Sequence, residues 1–211
     1  MRIDLYLDTV CPWCRIGKRN LERALAAWTG EPAEVRYHPF LLDPDLADEG
    51  EPFLAYFKER KGVDDPWPLF DRVKAAGVAA GLDFRFDRVE RYPNTLRSHA
   101  LLALAPGDAQ SALLDRVQRA YFEEGRDIGD VATLAELAAE VGMDREATAA
   151  ALRRDEVLAE ARSAAETARG FGIQGVPFFV IDGRLAVSGA QPPERLIGAM
   201  RQAATTAATR A

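Results

Sequence analysis

The sequence predicts an α/β fold in which one mixed β-sheet is interrupted by a large helical insertion. Two observations support this prediction. The chain opens with a strand pattern, a helix pattern and a second strand pattern, and strand patterns return only near its end, as a hairpin followed by a last helix. Helical patterns dominate the residues between them. With 211 residues, the chain can bury a sizeable core without the help of disulfides.

The first strand and the first helix are predicted by a change of period. Residues 3–8 alternate apolar and polar side chains, as a strand with one buried face does. In residues 16–28 the apolar side chains recur at helical spacing, with charged residues between them. Pro12 suits the first turn of this helix, because its missing N–H removes no helical hydrogen bond there. Residues 9–11 therefore join a strand to a helix.

The later elements follow from the same patterns and from turn residues. Residues 33–38 alternate again and predict a second strand. Residues 178–181 and 185–188 predict two strands, and Asp182-Gly183 between them is a strong hairpin signal, while Pro193 opens a last helix. Helices are predicted over residues 53–60, 69–80, 96–105, 113–122, 134–141 and 157–168. We therefore predict one domain made of residues 1–50 and 171–211, and an inserted helical domain made of residues 51–170.

The only two cysteines of the chain lie three positions apart, in Cys11-Pro12-Trp13-Cys14, where the strand meets the helix. This spacing at this place indicates redox chemistry. A sulfur at a helix N-terminus faces unpaired backbone N–H groups and the positive end of the helix dipole, and both favour the thiolate. We therefore expect Cys11 to be the attacking thiol. Cys14, one helical turn away and less exposed, is then expected to resolve the mixed disulfide.

Three other interpretations of the cysteine pair are weaker. A structural zinc site usually takes four ligands, and only His38 and His99 could complete one, so we expect no metal. A purely structural disulfide would stabilise little, because it closes a very short loop. Two inert buried thiols would leave Pro12 and Trp13 between them unexplained.

Charge and composition narrow the partners and the location. The formal net charge of −6 argues against nucleic acid or an anionic membrane surface as a partner, since both attract basic proteins. No signal-peptide pattern precedes the first strand, and no apolar run approaches transmembrane length. We therefore expect a cytoplasmic protein. A disulfide would be transient in that compartment, which favours turnover over a scaffolding role.

The motifs and the order of elements resemble those of the DsbA-like thiol-disulfide oxidoreductases, and most closely the FrnE-like branch. The resemblance rests on residues 8–14, on residues 40–44, on Pro93-Asn94-Thr95 with His99, and on residues 172–180. It implies a thioredoxin-like mixed β-sheet with a large helical insertion. It also implies that the bond before Pro177 is cis, beside the two sulfurs, so that the backbone of Val176 can pair with a substrate. Pro12 and Trp13 are assigned a redox-tuning role.

Four polar residues near these motifs have two interpretations each. Asp8 could buffer protons for Cys14, but we expect a solvated carboxylate at a strand end. Arg15 and Lys18 could favour a thiolate or an acidic substrate, but we expect exposed charges on a first helix. His99 could line a substrate groove, but we expect a hydrogen-bonded helical histidine.

The function predicted from these observations is disulfide exchange through Cys-Pro-Trp-Cys, as an oxidoreductase or isomerase acting on protein or small-molecule thiols and disulfides. No cofactor is expected beyond the redox-active disulfide, with glutathione or a cellular dithiol as electron partner. One alternative is a glutathione-linked transferase or isomerase that acts on a small aromatic or polyketide-like molecule. Another is a peptide-binding holdase.

Overall fold

The computed structural model describes residues 1–208 of the chain. Its strands are β1 Arg2–Leu7, β2 Glu34–Pro39, β3 Glu51–Pro52, β4 Arg91–Tyr92, β5 Phe178–Ile181 and β6 Leu185–Ser188. Its helices are α1 Pro12–Ala26, α2 Phe53–Ala55, α3 Trp67–Ala80, α4 Leu96–Leu104, α5 Gly107–Phe122, α6 Val131–Glu140, α7 Arg145–Ala151, α8 Asp155–Gly170 and α9 Pro193–Ala208. A π-helical turn, Tyr56–Arg60, continues α2, and a short 3₁₀ turn lies at Phe86–Arg88.

The larger of the two sheets has four strands in the order β2–β1–β5–β6. Strand β1 runs parallel to β2 and antiparallel to β5, and β5 and β6 form the predicted antiparallel hairpin. In this register Leu5 lies opposite Tyr37 on one side and Phe179 on the other. Strand β1 is paired along both edges, and every residue from Ile3 to Leu7 is buried, including the polar positions of its alternating pattern. The predicted mixed sheet is confirmed.

The helical segment between β2 and β5 differs in its details from the prediction. Helix α5 starts at residue 107 rather than 113, and α7 was not predicted at all. The sequence of α7 is rich in alanine and has no apolar stripe, and the Asp144 side chain caps it by accepting a hydrogen bond from the Ala147 N–H at 2.7 Å. Strands β3 and β4 have two residues each and are too short to leave a periodic signal. Within residues 1–208, no helix is long and apolar enough to span a bilayer.

One buried cluster runs through the sheet and the helical segment together, from Ile3 in β1 to Leu101 in α4 and Leu134 in α6. Phe179 and Ile181 are buried in it, whereas Phe178 is half-buried beside a second, smaller cluster. The division into residues 1–50 with 171–211 and residues 51–170 stays a prediction. Residues 209–211 lie outside the described part of the chain.

Candidate active site

Cys11 is the residue that caps the N-terminus of α1. Strand β1 ends at Leu7, and a tight turn closed by the Cys11 N–H, which donates to the Asp8 carbonyl at 3.2 Å, brings the chain into the helix. The Cys11 backbone is extended, and Pro12 occupies the first turn as predicted. The Cys14 N–H donates to Cys11 Sγ at 3.1 Å. The Cys11 sulfur therefore accepts one of the backbone donors that a helix start leaves unpaired.

Cys14 lies behind Cys11 and is completely buried. Burial, followed by the hydrogen bond and the charge of Cys11, raises the pKa of the Cys14 thiol well above its usual range. Both cysteines are unbonded thiols in this structure, and Cys11 itself is only 3% exposed. Cys14 therefore keeps its proton until a base or a reaction at Cys11 removes it.

The Val176–Pro177 segment lies against the other side of Cys11. Its peptide bond is cis, as expected, and the Val176 carbonyl oxygen lies 3.8 Å from Cys11 Sγ and accepts from the thiol. Pro177 rests on α1 at Gly17: a Cβ atom built there would lie 2.7 Å from Pro177 Cγ and 3.4 Å from Phe179 Cζ. Gly17 was not predicted to matter, but only a residue without a side chain permits this approach. The structure thus brings Cys11, Val176 and Pro177 together.

Pro12 and Trp13 face outward from the cysteine turn. Pro12 is half-buried and Trp13 is 41% exposed, and both line a cavity of about 480 Å³ between the cysteine turn and the helical segment. The other walls come from the turn after α2, from α3, from Tyr92 and from the end of α5. This cavity was not predicted, because its walls are distant from one another in the sequence. It offers space for a ligand next to the cysteines.

Asp8 is buried, so the expectation of a solvated carboxylate was wrong. It is 1% exposed because it leaves the end of β1 toward the helical segment and not toward solvent. Its Oδ1 lies 3.1 Å from His99 Nε2, and its Oδ2 accepts the Leu42 N–H at 2.8 Å. His99 is thus the hydrogen-bonded helical histidine that was expected. The Asp8 charge is also among the smaller causes that raise the pKa of Cys14.

Arg15 and Lys18 are also buried, so the expectation of exposed charges was wrong. Their face of α1 packs against α5, and their counter-charges come from α5, from the residue that follows it and from α1 itself. Arg15 pairs with Glu123, and Lys18 pairs with Glu22 and lies 2.8 Å from the Asp115 carboxylate. A buried charge needs such partners, because its desolvation is otherwise costly. Neither side chain faces the cysteine sulfurs as a free cation.

The two histidines considered for a zinc site each lie within hydrogen-bond distance of an aspartate. His38 Nε2 lies 2.8 Å from Asp4 Oδ1 on the neighbouring strand, and His99 is held by Asp8. In the part of the chain that the structure describes, no group of three or more His, Cys, Asp or Glu side chains is arranged to hold a metal ion.

The chain is similar to several known proteins. The sequence profile of the DSBA-like thioredoxin domain matches residues 2–201. A probable DsbA oxidoreductase from Streptomyces coelicolor is 36% identical, with a TM-score of 0.87 over 96% of this chain and 89% of its own. The fold also matches a 2-hydroxychromene-2-carboxylate isomerase, at 18% identity and a TM-score of 0.73 over 100% of both chains.

A third similar structure is the cytosolic disulfide reductase DsbM from Pseudomonas aeruginosa, solved with glutathione. It is 22% identical, with a TM-score of 0.63 over 100% of this chain and 98% of its own. The thioredoxin-like fold is therefore confirmed, and the similar structures include oxidoreductases and an isomerase. On the match over residues 2–201, the chain belongs to the family of the DSBA-like thioredoxin domain.

Proposed function

We propose that this protein is a thiol-disulfide oxidoreductase or isomerase in which Cys11 reacts with the substrate and Cys14 resolves the product. The observation that carries the proposal is the position of Cys11 at the start of α1. Its sulfur accepts a backbone N–H there and lies next to the Val176 carbonyl, while Cys14 stays buried behind it. Such a site favours Cys11 as the reactive sulfur and keeps Cys14 protonated until the second step.

The exchange proceeds in two balanced steps. The Cys11 thiolate attacks one sulfur of a substrate disulfide, forms a Cys11–substrate disulfide and releases the other substrate sulfur as a thiolate. Cys14 then loses its proton, attacks Cys11 Sγ and releases the second substrate thiol. The substrate gains two electrons and the cysteine pair loses two. A cellular dithiol or two glutathione molecules return the pair to its reduced state.

The remaining site residues orient this reaction. Val176 offers a backbone carbonyl beside Cys11 to an incoming chain, and Pro177 holds that segment against α1. Pro12 and Trp13 separate the sulfurs and tune their chemistry. We place the protein in the cytoplasm, because the similar DsbM from Pseudomonas aeruginosa is a cytosolic disulfide reductase. Reduction or isomerisation is then the favoured direction, with protein or small-molecule thiols and disulfides as partners and no other cofactor.

The test is to locate the mixed disulfide. Cys14→Ser protein is mixed with a disulfide substrate and analysed by mass spectrometry after proteolysis. We expect a stable adduct on Cys11 that an added thiol removes, whereas Cys11→Ser protein shows no turnover. An adduct on Cys14 in Cys11→Ser protein, with none on Cys11 in Cys14→Ser protein, would reverse the two roles. Protection of an unfolded client that survives loss of both cysteines would favour a holdase instead.

A small-molecule isomerase or a glutathione-linked transferase is the second candidate. It is favoured by the cavity beside Trp13 and by the fold shared with an isomerase that acts on a small aromatic molecule. Enzymes of that kind need one activated group and not two, so Cys14 would have no role. Glutathione-dependent conversion of an aromatic substrate at full rate by Cys14→Ser protein would favour this candidate.

A further inference from the structure

The cavity beside Trp13 has the size and the walls of a small-molecule site. Its volume of about 480 Å³ falls within the range of roughly 300–1,000 Å³ that is usual for such sites. Nine of its seventeen lining residues are aromatic, and they come from both the cysteine turn and the helical segment. Three of the lining side chains, Trp13, Leu42 and Leu69, are large apolar groups exposed to solvent. Such walls favour a flat apolar ligand.

Two cations also line this cavity. Lys61 is 42% exposed and lies 3.9 Å from Asp43 Oδ2, which is longer than a direct hydrogen bond. Arg72 is exposed, and it has no hydrogen bond or ion pair to the residues that the structure describes. No Asp or Glu side chain from the described residues lines the cavity, although the chain as a whole carries a net charge of −6. The cavity therefore favours an anionic ligand.

The wall of the cavity contains a buried tyrosine hydroxyl. Tyr56 is 1% exposed and stacks on Tyr92, with 3.5 Å between the ring centroids. Its hydroxyl has no hydrogen bond of normal geometry to the described residues, although Tyr92 and Lys61 lie close to it. An unpaired buried hydroxyl destabilises a protein, and an acceptor on a bound ligand would satisfy it.

The cavity borders the cysteine turn next to Cys11. Val10 and Pro12, the neighbours of Cys11 in the sequence, both belong to its lining. We propose that the cavity holds the aromatic part of a small anionic disulfide and presents its sulfur to Cys11. This inference rests on the proposed function and names the substrate class for the same site. The chemistry is the balanced exchange given above, in which the aromatic disulfide gains two electrons and leaves as two thiols.

The experiment measures how fast Cys14→Ser protein forms mixed disulfides with four probes. They are dithiobis(nitrobenzoate), which is aromatic and anionic; dithiodipyridine, which is aromatic and uncharged; oxidised glutathione, which is anionic and aliphatic; and a peptide disulfide. Each rate constant is divided by that of free N-acetylcysteine with the same probe, which removes the intrinsic reactivity of the disulfide. We expect the largest ratio for dithiobis(nitrobenzoate), by about tenfold over oxidised glutathione.

A pair of double variants in the Cys14→Ser protein tests the cations. Lys61→Gln with Arg72→Gln should slow the reaction of dithiobis(nitrobenzoate) at least about threefold and leave that of dithiodipyridine unchanged. Lys58→Gln with Arg184→Gln removes the same charge from exposed positions outside the cavity, and should change neither rate. Thermal unfolding of every variant is measured as a control that it is folded.

The outcomes separate this inference from the proposed function. Adducts on Cys11 with all four probes at similar ratios would overturn the aromatic substrate class and leave disulfide exchange intact. A rate that falls in the Lys61 and Arg72 double variant for the peptide disulfide, but not for dithiobis(nitrobenzoate), would assign the cavity to a protein substrate and overturn the inference. No adduct on Cys11 with any probe would defeat the proposed function itself.

Discussion

Cys11 caps α1, Cys14 lies in its first turn, and both are nearly or fully buried, yet their surroundings differ. Cys11 has a backbone donor on its sulfur, the Val176 carbonyl beside it and a ligand-sized cavity next to its sequence neighbours. Cys14 is enclosed by the core and by Cys11, and its pKa is raised. Solvent exposure alone would not distinguish the two thiols. What separates them is which groups face each sulfur.

The largest expected difference between the two thiols is in their pH dependence. Burial raises the pKa of Cys14, so below that pKa the resolving step should speed up about tenfold per pH unit as the thiolate fraction grows. Adduct formation by Cys14→Ser protein does not involve Cys14 and should follow a different profile. Stopped-flow measurements of the release of the first and of the second substrate thiol give the rates of adduct formation and of resolution at each pH. A release step that is flat between about pH 6 and pH 9 would contradict the raised pKa.

A smaller effect is expected from Gly17→Ala, which disturbs the Cys11 side of the site. The new Cβ would lie 2.7 Å from Pro177 Cγ, so Pro177 and the segment that carries it must move away from Gly17. Adduct formation should slow roughly tenfold or more, since small misplacements near a reacting atom have large effects. Overpacking should also cost about 1–3 kcal/mol, which offsets the roughly 1 kcal/mol by which a helix prefers alanine.

Gly198→Ala is the matched control for this substitution. Gly198 lies in α9, and a Cβ built there meets no other atom within 4 Å. This variant should gain about 0.5–1 kcal/mol of unfolding free energy and keep the wild-type rate of adduct formation. Urea unfolding and adduct kinetics of the two variants are compared directly. Equal stabilisation in both would show that Pro177 does not pack closely on Gly17.

The smallest expected effect is on stability at alkaline pH. Burial raises the pKa of the Cys14 thiol in the folded protein above its value of roughly 8.5 in the unfolded chain. The protonated thiol therefore contributes fully to the unfolding free energy below about pH 8.5, and this contribution is lost as the pH rises from there toward the folded pKa. In that window the unfolding free energy of reduced wild-type protein should fall more steeply than that of Cys14→Ser protein. The difference is at most about 1.4 kcal/mol per pH unit. Urea titrations with a reductant at about pH 7.5 and pH 9.5 measure it.

Local patterns in the sequence were enough to predict the elements that hold the cysteines. Strand β1, the start of α1 at Pro12 and the hairpin at Asp182-Gly183 each depend on neighbouring residues only. Helix α7 was missed because its alanine-rich sequence offers no apolar contrast. The resemblance to a known family supplied the cis bond before Pro177, which no local pattern could have established.

The surroundings of the cysteines depend on distant contacts and were predicted less well. The expectation for Asp8 was wrong because its partner, His99, lies 91 residues away. The expectation for Arg15 was wrong because a charged residue on an amphipathic helix is ordinarily exposed, and Glu123 is 108 residues away. The cavity was missed for the same reason, since its walls meet only in the folded chain.

The buried cations of α1 limit how the cysteine helix can be transplanted. Arg15 is balanced by Glu123, the residue that follows α5, and Lys18 by Asp115 in the middle of α5 and by Glu22 in α1. A graft of residues 1–50 onto another scaffold would leave Arg15 without Glu123, and Lys18 with Glu22 alone. Removing the partner of a buried charge costs about 3–5 kcal/mol. A graft of the Cys-Pro-Trp-Cys helix would therefore have to include α5, or to replace Arg15 and Lys18 by apolar residues.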